Sequence, residues 1–455
     1  MLSITRLAGA LMWLLAGTTQ AQQNILLIVA DDMGVEMLKS YGVGQDYAAT
    51  PTLNRLAEEG LQFQNCWANP VCSPTRATIL TGRYSFRTGV GTALNGKQLP
   101  LPLAELALPQ LIKHKSSKSY RVGAFGKWHL ADIQNGGSNH PNTVGFDTYV
   151  GSIYGMYQPR QYSGPGAYFE WYKTKNGALS LCTNYNTTDT VDEALHWIRN
   201  FKGPWIAYVP FSAPHEPFHH PPAHLLKPNG QVQPGLPFEA TQRQMYKEMI
   251  TAMDTEIGRL LDGLGSDLAN TTVIFVSDNG TPKQVVSAPY TKFQAKGTVF
   301  QGGVHVPLLV WGKGVKCRPG STSDAKVHTV DLFATIAEMA SVDMTTYPAN
   351  IPYDSISMVP YFSNPGKQSL RRFQFAETFT PNGNCPFSTI RGIANDQFKL
   401  IRRTIFGFGT IDSLYDLKND PYEKTNLLFP GPLSPHESAA FVELDLALRT
   451  LLDGK

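Results

Sequence analysis

The sequence predicts an α/β fold with a large, mostly parallel central sheet flanked by helices, and a smaller C-terminal α+β part carrying an antiparallel sheet. Apolar runs typical of buried strands alternate with helical patterns, as parallel sheets require. Four of these runs end at polar, potentially reactive residues, where open α/β sheets bind ligands. After about residue 341 the pattern changes to short strands joined by turns.

The strand predictions rest on continuous apolar runs, which suit strands buried on both faces. We predict five such strands, at residues 24–30, 121–125, 205–211, 272–276 and 306–311. Helical spacing of apolar residues predicts helices at residues 52–59, 106–115, 190–200 and 241–261. The C-terminal part is predicted to contain strands at residues 388–395, 398–402 and 413–417 and a closing helix at residues 437–452.

The N-terminus resembles an export signal. One positive charge in residues 1–6 precedes an apolar run at residues 7–17, and small residues follow at 19–21. The run is about eleven residues long, whereas a helix needs about 20 to span a bilayer. We therefore expect a signal peptide at residues 1–21 and export to the periplasm, the extracellular space or a secretory lumen. A retained N-terminal anchor is the alternative, and no later segment is long and apolar enough to cross a membrane.

Length and composition indicate a packed protein of two parts. The chain has 455 residues, of which 42% are hydrophobic and 16% charged. We place a catalytic domain at residues 22–365 and a C-terminal domain at residues 366–455. The net charge is +3, and no run of five or more Lys or Arg residues occurs, so nucleic acid is not an expected partner. The sequence does not indicate an oligomeric state.

The cysteine count is odd, which in an exported protein leaves one cysteine unpaired or chemically special. If Cys72 is the special one, the other four can form up to two disulfides of undetermined connectivity. These four are Cys66, Cys182, Cys317 and Cys385.

The segment at residues 72–83 is the most specific in the chain. Pro74 suits the first turn of a helix, so Cys72 is expected at a helix N-terminus, where backbone N–H groups favour an anion. Arg76, four residues on, then shares a face with Cys72. Three other interpretations stay open: a structural buried cysteine, a disulfide with Cys66, or a thiol nucleophile paired with a distant histidine.

The order Cys-x-Pro-Thr-Arg, then Ala-x-x-Leu-Thr-Gly-Arg, resembles the signature of the formylglycine-dependent sulfatases, within the alkaline-phosphatase-like superfamily. Other matching segments follow in the family's order, at residues 30–32, 126–129, 213–217, 278–280, 296–298, 302–303, 414–417 and 420–427. The resemblance implies that a formylglycine-generating enzyme oxidises Cys72 to formylglycine (3-oxoalanine).

A metal site is indicated by Asp31, Asp32, Asp278 and Asn279, which offer only oxygen ligands. Such a set suits a hard divalent cation, and Ca²⁺ tolerates an uneven cage better than Mg²⁺. The resemblance implies that these four residues bind one Ca²⁺ together with the modified Cys72. The alternatives are a helix cap at residues 31–32 and an ordinary turn at residues 278–280.

Positive charge for a sulfate ester is available from Arg76, Lys127 and Lys296, and His129 and His215 can move protons. Taken alone, a lysine here would usually be a solvated surface charge, and a histidine such as His215 would more often be a bystander than a catalyst.

By resemblance, an oxygen at position 72 attacks sulfur and Asp278 assists its deprotonation. His215 then protonates the leaving alcohol, while Lys127 and Lys296 hold the sulfate. His129 assists loss of a proton as the sulfate leaves. On the same basis, Cys72→Ser should leave little or no turnover.

Two positions depart from the family pattern, which usually has a glutamate and an arginine where this chain has Gln301 and His305. These departures leave the core mechanism intact and bear on the geometry of their loop and on the pH optimum. His219 and His220 match no motif and are at most candidates for the substrate rim. The aromatic stretch at residues 154–172 suits either sugar stacking or ordinary packing, and packing is slightly favoured.

The sequence thus predicts hydrolysis of a sulfate monoester, on a sulfated saccharide, with aryl sulfates as artificial substrates. A phosphodiester or phosphonate monoester hydrolase that uses the same aldehyde is one alternative. Two-metal phosphatases need further Asp and His ligands, for which we find no motif. The other alternative is a non-catalytic protein that binds sulfated glycans.

Overall fold

The computed structural model describes residues 23–155, 165–226 and 241–454, so the expected signal peptide lies outside the described residues. Ten strands form one sheet: β1 Asn24–Ala30, β2 Leu61–Trp67, β3 Arg121–Phe125, β4 Thr148–Gly151, β5 Trp171–Lys175, β6 Ala178–Cys182, β7 Trp205–Pro210, β8 Thr271–Ser277, β9 Leu308–Gly312 and β10 Ser321–His328. Four form a second sheet: β11 Gln374–Thr380, β12 Ser388–Ala394, β13 Phe398–Ile405 and β14 Gly409–Asp416.

Helices cover both faces of the large sheet and close the C-terminal one. They are α1 Pro51–Glu59, α2 Cys72–Thr81, α3 Ser85–Thr88, α4 Leu108–Lys115, α5 His140–Thr143, α6 Asn186–Arg199, α7 Gln242–Gly263, α8 Gln301–Val304, α9 Asp331–Met339 and α10 Pro435–Asp453. Among the described residues, no helix has the length and apolar character that a membrane span needs.

The large sheet has the order β10-β2-β9-β8-β1-β7-β3-β4-β5-β6. Its central strands β8, β1, β7, β3 and β4 are all parallel. Strand β9 runs antiparallel between β2 and β8, and β5 and β6 add antiparallel pairs at one edge. The sheet is therefore mixed around a parallel centre. An apolar run reveals that a strand is buried but not its direction, which is why the sequence did not reveal the reversal of β9.

Fully buried apolar strands were predicted from the sequence, whereas the largely buried β2, whose apolar pattern is interrupted by Gln62, Gln64 and Asn65, was missed. Every residue of β1, β7 and β8 is buried, and these strands lie within about one residue of their predicted bounds. In contrast, four of the five residues of β6 are exposed, and that strand was missed. Side chains on the two faces of the sheet pack into two separate hydrophobic clusters under the flanking helices.

The second sheet, here called the C-terminal sheet, is antiparallel throughout, with the order β11-β12-β13-β14. Helix α10 packs Leu444 and Leu448 against Phe398 and Leu400 of β13, in a hydrophobic cluster that Tyr84 and Val330 also join. A small-residue turn at Ser434 starts α10, because the Ser434 hydroxyl accepts a hydrogen bond from the Glu437 N–H.

All five cysteines have free thiols. The two disulfides considered from the sequence are not formed, and Cys66 is not bonded to Cys72. Cys66 is instead a fully buried side chain of the core.

Candidate active site

The site lies where four neighbouring parallel strands end. Asp31 and Asp32 follow β1, Asp278 follows β8, Lys127 follows β3, and His215 lies beyond β7. Backbone hydrogen bonds link these ends, from Asp278 N to the Ala30 carbonyl (3.0 Å), from Asp31 N to the Ala213 carbonyl (3.1 Å) and from Lys127 N to the Pro210 carbonyl (2.7 Å). Because the β8-β1-β7-β3 order makes these ends adjacent, side chains far apart in sequence converge on one place.

Cys72 begins α2, as the sequence predicted, and this helix ends at Gly82, whose φ of 68° suits a glycine. The Cys72 side chain is 1% exposed. Its Sγ lies 3.2 Å from Asp31 Oδ1, 3.9 Å from Asp32 Oδ1 and 3.7 Å from Lys127 Nζ. A helix N-terminus thus presents position 72 to a buried cluster of charges.

An unmodified Cys72 is poorly suited to attack as a thiolate. Burial, and then the negative charge of Asp31, raise the pKa of the Cys72 thiol well above its ordinary value. Reactive cysteines need the opposite, an electropositive and partly exposed environment that lowers the pKa. This environment argues against the thiol nucleophile that the sequence left open.

Arg76 joins two parts of the site. Its Nε and Nη2 donate to Asp278 Oδ2 at 3.0 and 2.9 Å, and its Nη1 donates to the Lys127 carbonyl at 2.8 Å. Its Nη2 also lies 3.6 Å from Asp31 Oδ2, with both side chains fully buried. The fork geometry of a guanidinium allows one side chain to hold three strand ends in register.

The two lysines each pair with one aspartate. Lys127 Nζ contacts Asp31 Oδ2, and Lys296 Nζ lies 2.7 Å from Asp32 Oδ2. Burial is the largest single influence and would lower the pKa of Lys296, but the negative charges around it, with Asp32 first among them, together raise that pKa well above its ordinary value. The Lys296 side chain is 20% exposed and that of Lys127 is 1% exposed, so Lys296 lies at the mouth of the site.

The acidic groups fit a divalent cation. Burial, and then the neighbouring Asp31 carboxylate, raise the pKa of Asp278 to about 7, which is the signature of crowded negative charge. Asn279 Nδ2 donates to Asp32 Oδ1 at 2.7 Å, whereas Asn279 Oδ1 is buried and has no hydrogen-bond partner in the described part of the chain. Ligand atoms of Asp31, Asp32, Cys72 and His215 all lie within 4.8 Å of one another. Within this group, the carboxylates of Asp31 and Asp32 offer oxygen ligands, which Ca²⁺ prefers.

The two histidines have fixed tautomers. His215 Nδ1 lies 2.7 Å from the Glu216 carbonyl, which can only accept, so Nδ1 carries the hydrogen and Nε2 is 3.8 Å from Asp32 Oδ2. Burial, and then the charge of Lys296, lower the pKa of His215. His129 Nε2 donates to the Leu94 carbonyl at 2.9 Å, and the His129 backbone has a φ of 62°. Both imidazoles are therefore held in defined orientations at the site.

Three residues that sequence reasoning missed hold the loop after β1. Tyr246 OH donates to the Asp32 carbonyl at 2.6 Å. Ser277 Oγ accepts from Met33 N at 2.9 Å, and Thr281 Oγ1 accepts from Gly34 N at 3.1 Å. They support the left-handed backbone of Asp32, whose φ is 78°. Tyr246 lies on α7 and resembles any buried helical aromatic, so the sequence offered no signal for it.

The remaining candidates lie outside the charged cluster. His219 is buried against Tyr168 and hydrogen-bonds Tyr185 OH at 3.0 Å, and His220 pairs with Glu248. Within the described part of the stretch at residues 154–172, Tyr168 and Trp171 are buried whereas Tyr154 and Phe169 are partly exposed; residues 156–164 lie outside the described residues.

The two departures from the family pattern also have definite places. His305 Nε2 donates to the Gln64 carbonyl at 2.7 Å, and burial lowers the pKa of His305 to about 4, so it is neutral near pH 7. Gln301 begins the short helix α8, and its backbone N–H donates to Glu423 Oε2. Both residues lie in the loop behind Lys296, and their contacts are with β2 and with the segment after β14.

A family model described as Sulfatase matches residues 23–342, which is more than half of the chain. The chain belongs to the sulfatase family. A second model, described as N-sulphoglucosamine sulphohydrolase, C-terminal, matches residues 291–435. The protein is therefore a sulfatase, with the alkaline-phosphatase-like fold that the sequence predicted.

Two curated relatives illustrate the relationship. N-acetylgalactosamine-6-sulfatase of Homo sapiens is 32% identical over 373 residues, covering 74% of this chain and 65% of that protein. Arylsulfatase A of Bos taurus is 28% identical over 465 residues, covering 93% of this chain and 87% of that protein. This sulfatase spans about two thirds of the length of the first of these relatives.

Among solved structures, the crystal structure of Ps i-CgsB in complex with k-i-k-neocarrahexaose has a TM-score of 0.75 and 26% identity. That match covers 94% of this chain and 92% of the other. The fold of this chain is therefore similar to that of a solved structure over most of both chains.

Proposed function

We propose that this sulfatase hydrolyses a sulfate monoester on a saccharide, by means of a formylglycine made from Cys72 and one bound Ca²⁺. The observation that carries the proposal is the position of Cys72, at the start of α2 and 3.2 Å from Asp31. A protonated, buried thiol has no evident chemistry there. An aldehyde at the same position, once hydrated, would supply an oxygen nucleophile and could release sulfate afterwards.

Asp31, Asp32, Asp278 and Asn279, together with position 72, would hold the cation. Two observations support this assignment: Asn279 Oδ1 has no hydrogen-bond partner among the residues that the structure describes, and burial, followed by the Asp31 carboxylate, raises the pKa of Asp278 to about 7. When bound, Ca²⁺ would supply positive charge to the developing sulfate oxygens and neutralise the carboxylates.

The surrounding side chains would bind and orient the ester. Lys127 and Lys296 would hold sulfate oxygens, because both ammonium groups point into the cluster that contains Cys72. Arg76 would keep Asp278 oriented, and Asp278 would take a proton from position 72.

The two histidines would serve opposite proton transfers. His215, once it also carries a proton on Nε2, which is turned towards Asp32, would donate that proton to the leaving alcohol. His129 would accept a proton from position 72 as the sulfate leaves.

A sulfated saccharide is the proposed substrate class. The relatives that support it are named for N-acetylgalactosamine-6-sulfate, and the solved structure with 26% identity holds a neocarrahexaose. The partly exposed Tyr154 and Phe169 offer aromatic faces of the kind that pack against sugar rings.

Maturation and location complete the proposal. A formylglycine-generating enzyme would act on the segment at residues 72–83. The signal-like residues 1–21 would direct export, with a catalytic domain at residues 22–365 and a C-terminal domain at residues 366–455.

The test combines mass spectrometry with turnover. Protein made with the maturation enzyme should yield a tryptic peptide 56–76 lighter than its cysteine form, and should hydrolyse an aryl sulfate. Protein made without that enzyme, and the Cys72→Ser variant, should have little or no activity. Full activity in Cys72→Ala would refute the mechanism.

The same preparation discriminates the alternatives. Faster turnover of an aryl phosphodiester than of an aryl sulfate would favour the phosphodiester or phosphonate hydrolase. A peptide that retains its cysteine after co-expression with the maturation enzyme, combined with binding of sulfated glycans and no turnover, would favour the non-catalytic protein.

A further inference from the structure

A closed ring of hydrogen bonds connects the residue after Cys72 to His129. Ser73 Oγ donates to the His129 carbonyl at 2.8 Å and accepts from Leu94 N at 3.1 Å. The Leu94 carbonyl in turn accepts from His129 Nε2 at 2.9 Å. Ser73 is fully buried, and its hydroxyl makes both of these hydrogen bonds directly. One serine therefore fixes both the backbone of His129 and the group that its ring contacts.

The ring of hydrogen bonds also determines which imidazole nitrogen of His129 can accept a proton. A carbonyl oxygen can only accept, so Nε2 carries the hydrogen and Nδ1 carries the lone pair. His129 Nδ1 is buried and, among the described residues, has no hydrogen-bond partner. A buried acceptor without a donor is costly unless it is used, and such groups are typical of functional sites. The left-handed backbone of His129, with φ of 62°, is a second cost at the same residue.

A residue next to the C-terminal sheet, Asn382, holds the loop that carries Leu94, the third residue in the ring of hydrogen bonds. Asn382, which follows β11, accepts from Gly91 N at 2.9 Å and Thr92 N at 2.8 Å. Its Nδ2 donates to the Thr92 carbonyl at 3.3 Å and to the Leu99 carbonyl at 2.9 Å. Asn382 thus brackets both sides of the loop that carries Leu94. It is 5% exposed, so these bonds are shielded from solvent.

We propose that Ser73 and Asn382 are positioning residues that hold His129 with Nε2 protonated and Nδ1 free to accept a proton at the active site. Ser73 acts through its hydrogen bonds with the His129 carbonyl and the Leu94 N–H, and Asn382 acts through the loop of residues 91–99. The proposal rests on the proposed function for the role of that proton transfer. The tautomer itself rests only on the hydrogen bonds of this chain.

The experiment compares two isosteric substitutions of full-length protein. Ser73→Thr keeps the hydroxyl, whereas Ser73→Val introduces a side chain of nearly the same shape as threonine but without the hydroxyl. Histidine ¹⁵N NMR, with His129 assigned from the spectrum of His129→Gln, reports which ring nitrogen carries the hydrogen. Turnover of an aryl sulfate is measured in parallel and divided by the aldehyde fraction at position 72, because Ser73 lies within the maturation motif.

Wild type and Ser73→Thr should show His129 protonated at Nε2 alone. Ser73→Val should show a mixture of tautomers and a kcat lowered about tenfold or more at an unchanged KM. Asn382→Asp, which keeps an acceptor oxygen but loses the Nδ2 donors, should lower kcat by a smaller factor in the same direction.

Either of two results would overturn the proposal. One is a wild-type His129 protonated at Nδ1, and the other is a Ser73→Val protein with wild-type tautomer and normalised kcat. An equal fall in kcat for Ser73→Thr and Ser73→Val would also count against it, because the hydroxyl would then not be the cause. The NMR result needs no aldehyde, so a failure of the proposed function would not alter it.

Discussion

Lys399→Met should destabilise the protein strongly, because it would leave a buried carboxylate without its counter-charge. Lys399 Nζ lies 2.6 Å from Glu423 Oε1, and both side chains are fully buried. The ammonium also lies 4.6 Å from the centroid of the Trp67 ring. Burial lowers the pKa of Lys399 and raises the pKa of Glu423, so removal from water opposes both charges. Each charge is tolerated only because the other is present.

The expected magnitude follows from that dependence. Removing one partner of a buried ion pair costs about 3–5 kcal/mol, a large part of the roughly 5–15 kcal/mol that stabilises a typical fold. Replacing both partners removes the charges together, so Lys399→Met combined with Glu423→Gln should lie within about 1 kcal/mol of wild type. The glutamine can still accept the hydrogen bond from Gln301 N, which Glu423 Oε2 accepts in the wild type.

Urea unfolding followed by tryptophan fluorescence measures these free energies, and Trp67, whose ring lies next to Lys399, reports on the surroundings of the ion pair. Lys367→Met is a matched control, since Lys367 is exposed, and it should change the free energy of unfolding by less than about 0.5 kcal/mol. The reasoning would be refuted if Lys399→Met cost no more than the control. It would also fail if the double variant were less stable than Lys399→Met alone.

Three further outcomes are expected. A chelator should abolish aryl sulfate turnover and lower the unfolding temperature, and Ca²⁺ should restore both better than Mg²⁺; unchanged activity after complete chelation would exclude the cation. Lys296→Met should lower kcat/KM by about 10²–10³-fold, whereas Lys292→Met, exposed on the same loop, should have little effect. Burial lowers the pKa of His140 to about 4, so the unfolded chain binds the extra proton and stability falls as pH drops below about 6.5. Between pH 7 and 4.5, wild type should lose about 2–3 kcal/mol more than His140→Gln in urea unfolding, and equal losses would contradict this assignment.

The sequence predicted the parts of the site that follow buried strands. Asp31 and Asp278 each come directly after a continuous apolar run, and that pattern reports burial and strand end together. Cys72 was predictable as the start of a helix because Pro74 suits its first turn. We inferred that these residues lie close together because the carboxyl ends of parallel strands meet at one edge of a sheet. The order β8-β1-β7-β3 is the physical reason, since it makes those strand ends neighbours.

Other features have no signal in one sequence. The Leu94 carbonyl that fixes His129 is a backbone group, and its side chain says nothing of that role. Lys399 and Glu423 look like two surface charges of the C-terminal part until β13 and the loop after β14 bring them together. The direction of β9 was likewise hidden, because its burial is the same in either orientation.

The most direct test of the account is a high-resolution crystal structure of enzyme co-produced with the maturation enzyme and supplied with Ca²⁺. The account predicts one ion with oxygen ligands at about 2.3–2.6 Å from Asp31, Asp32, Asp278 and Asn279, next to an oxidised residue at position 72. Density for an ordinary thiol at position 72, with no ion among these four residues, would contradict it.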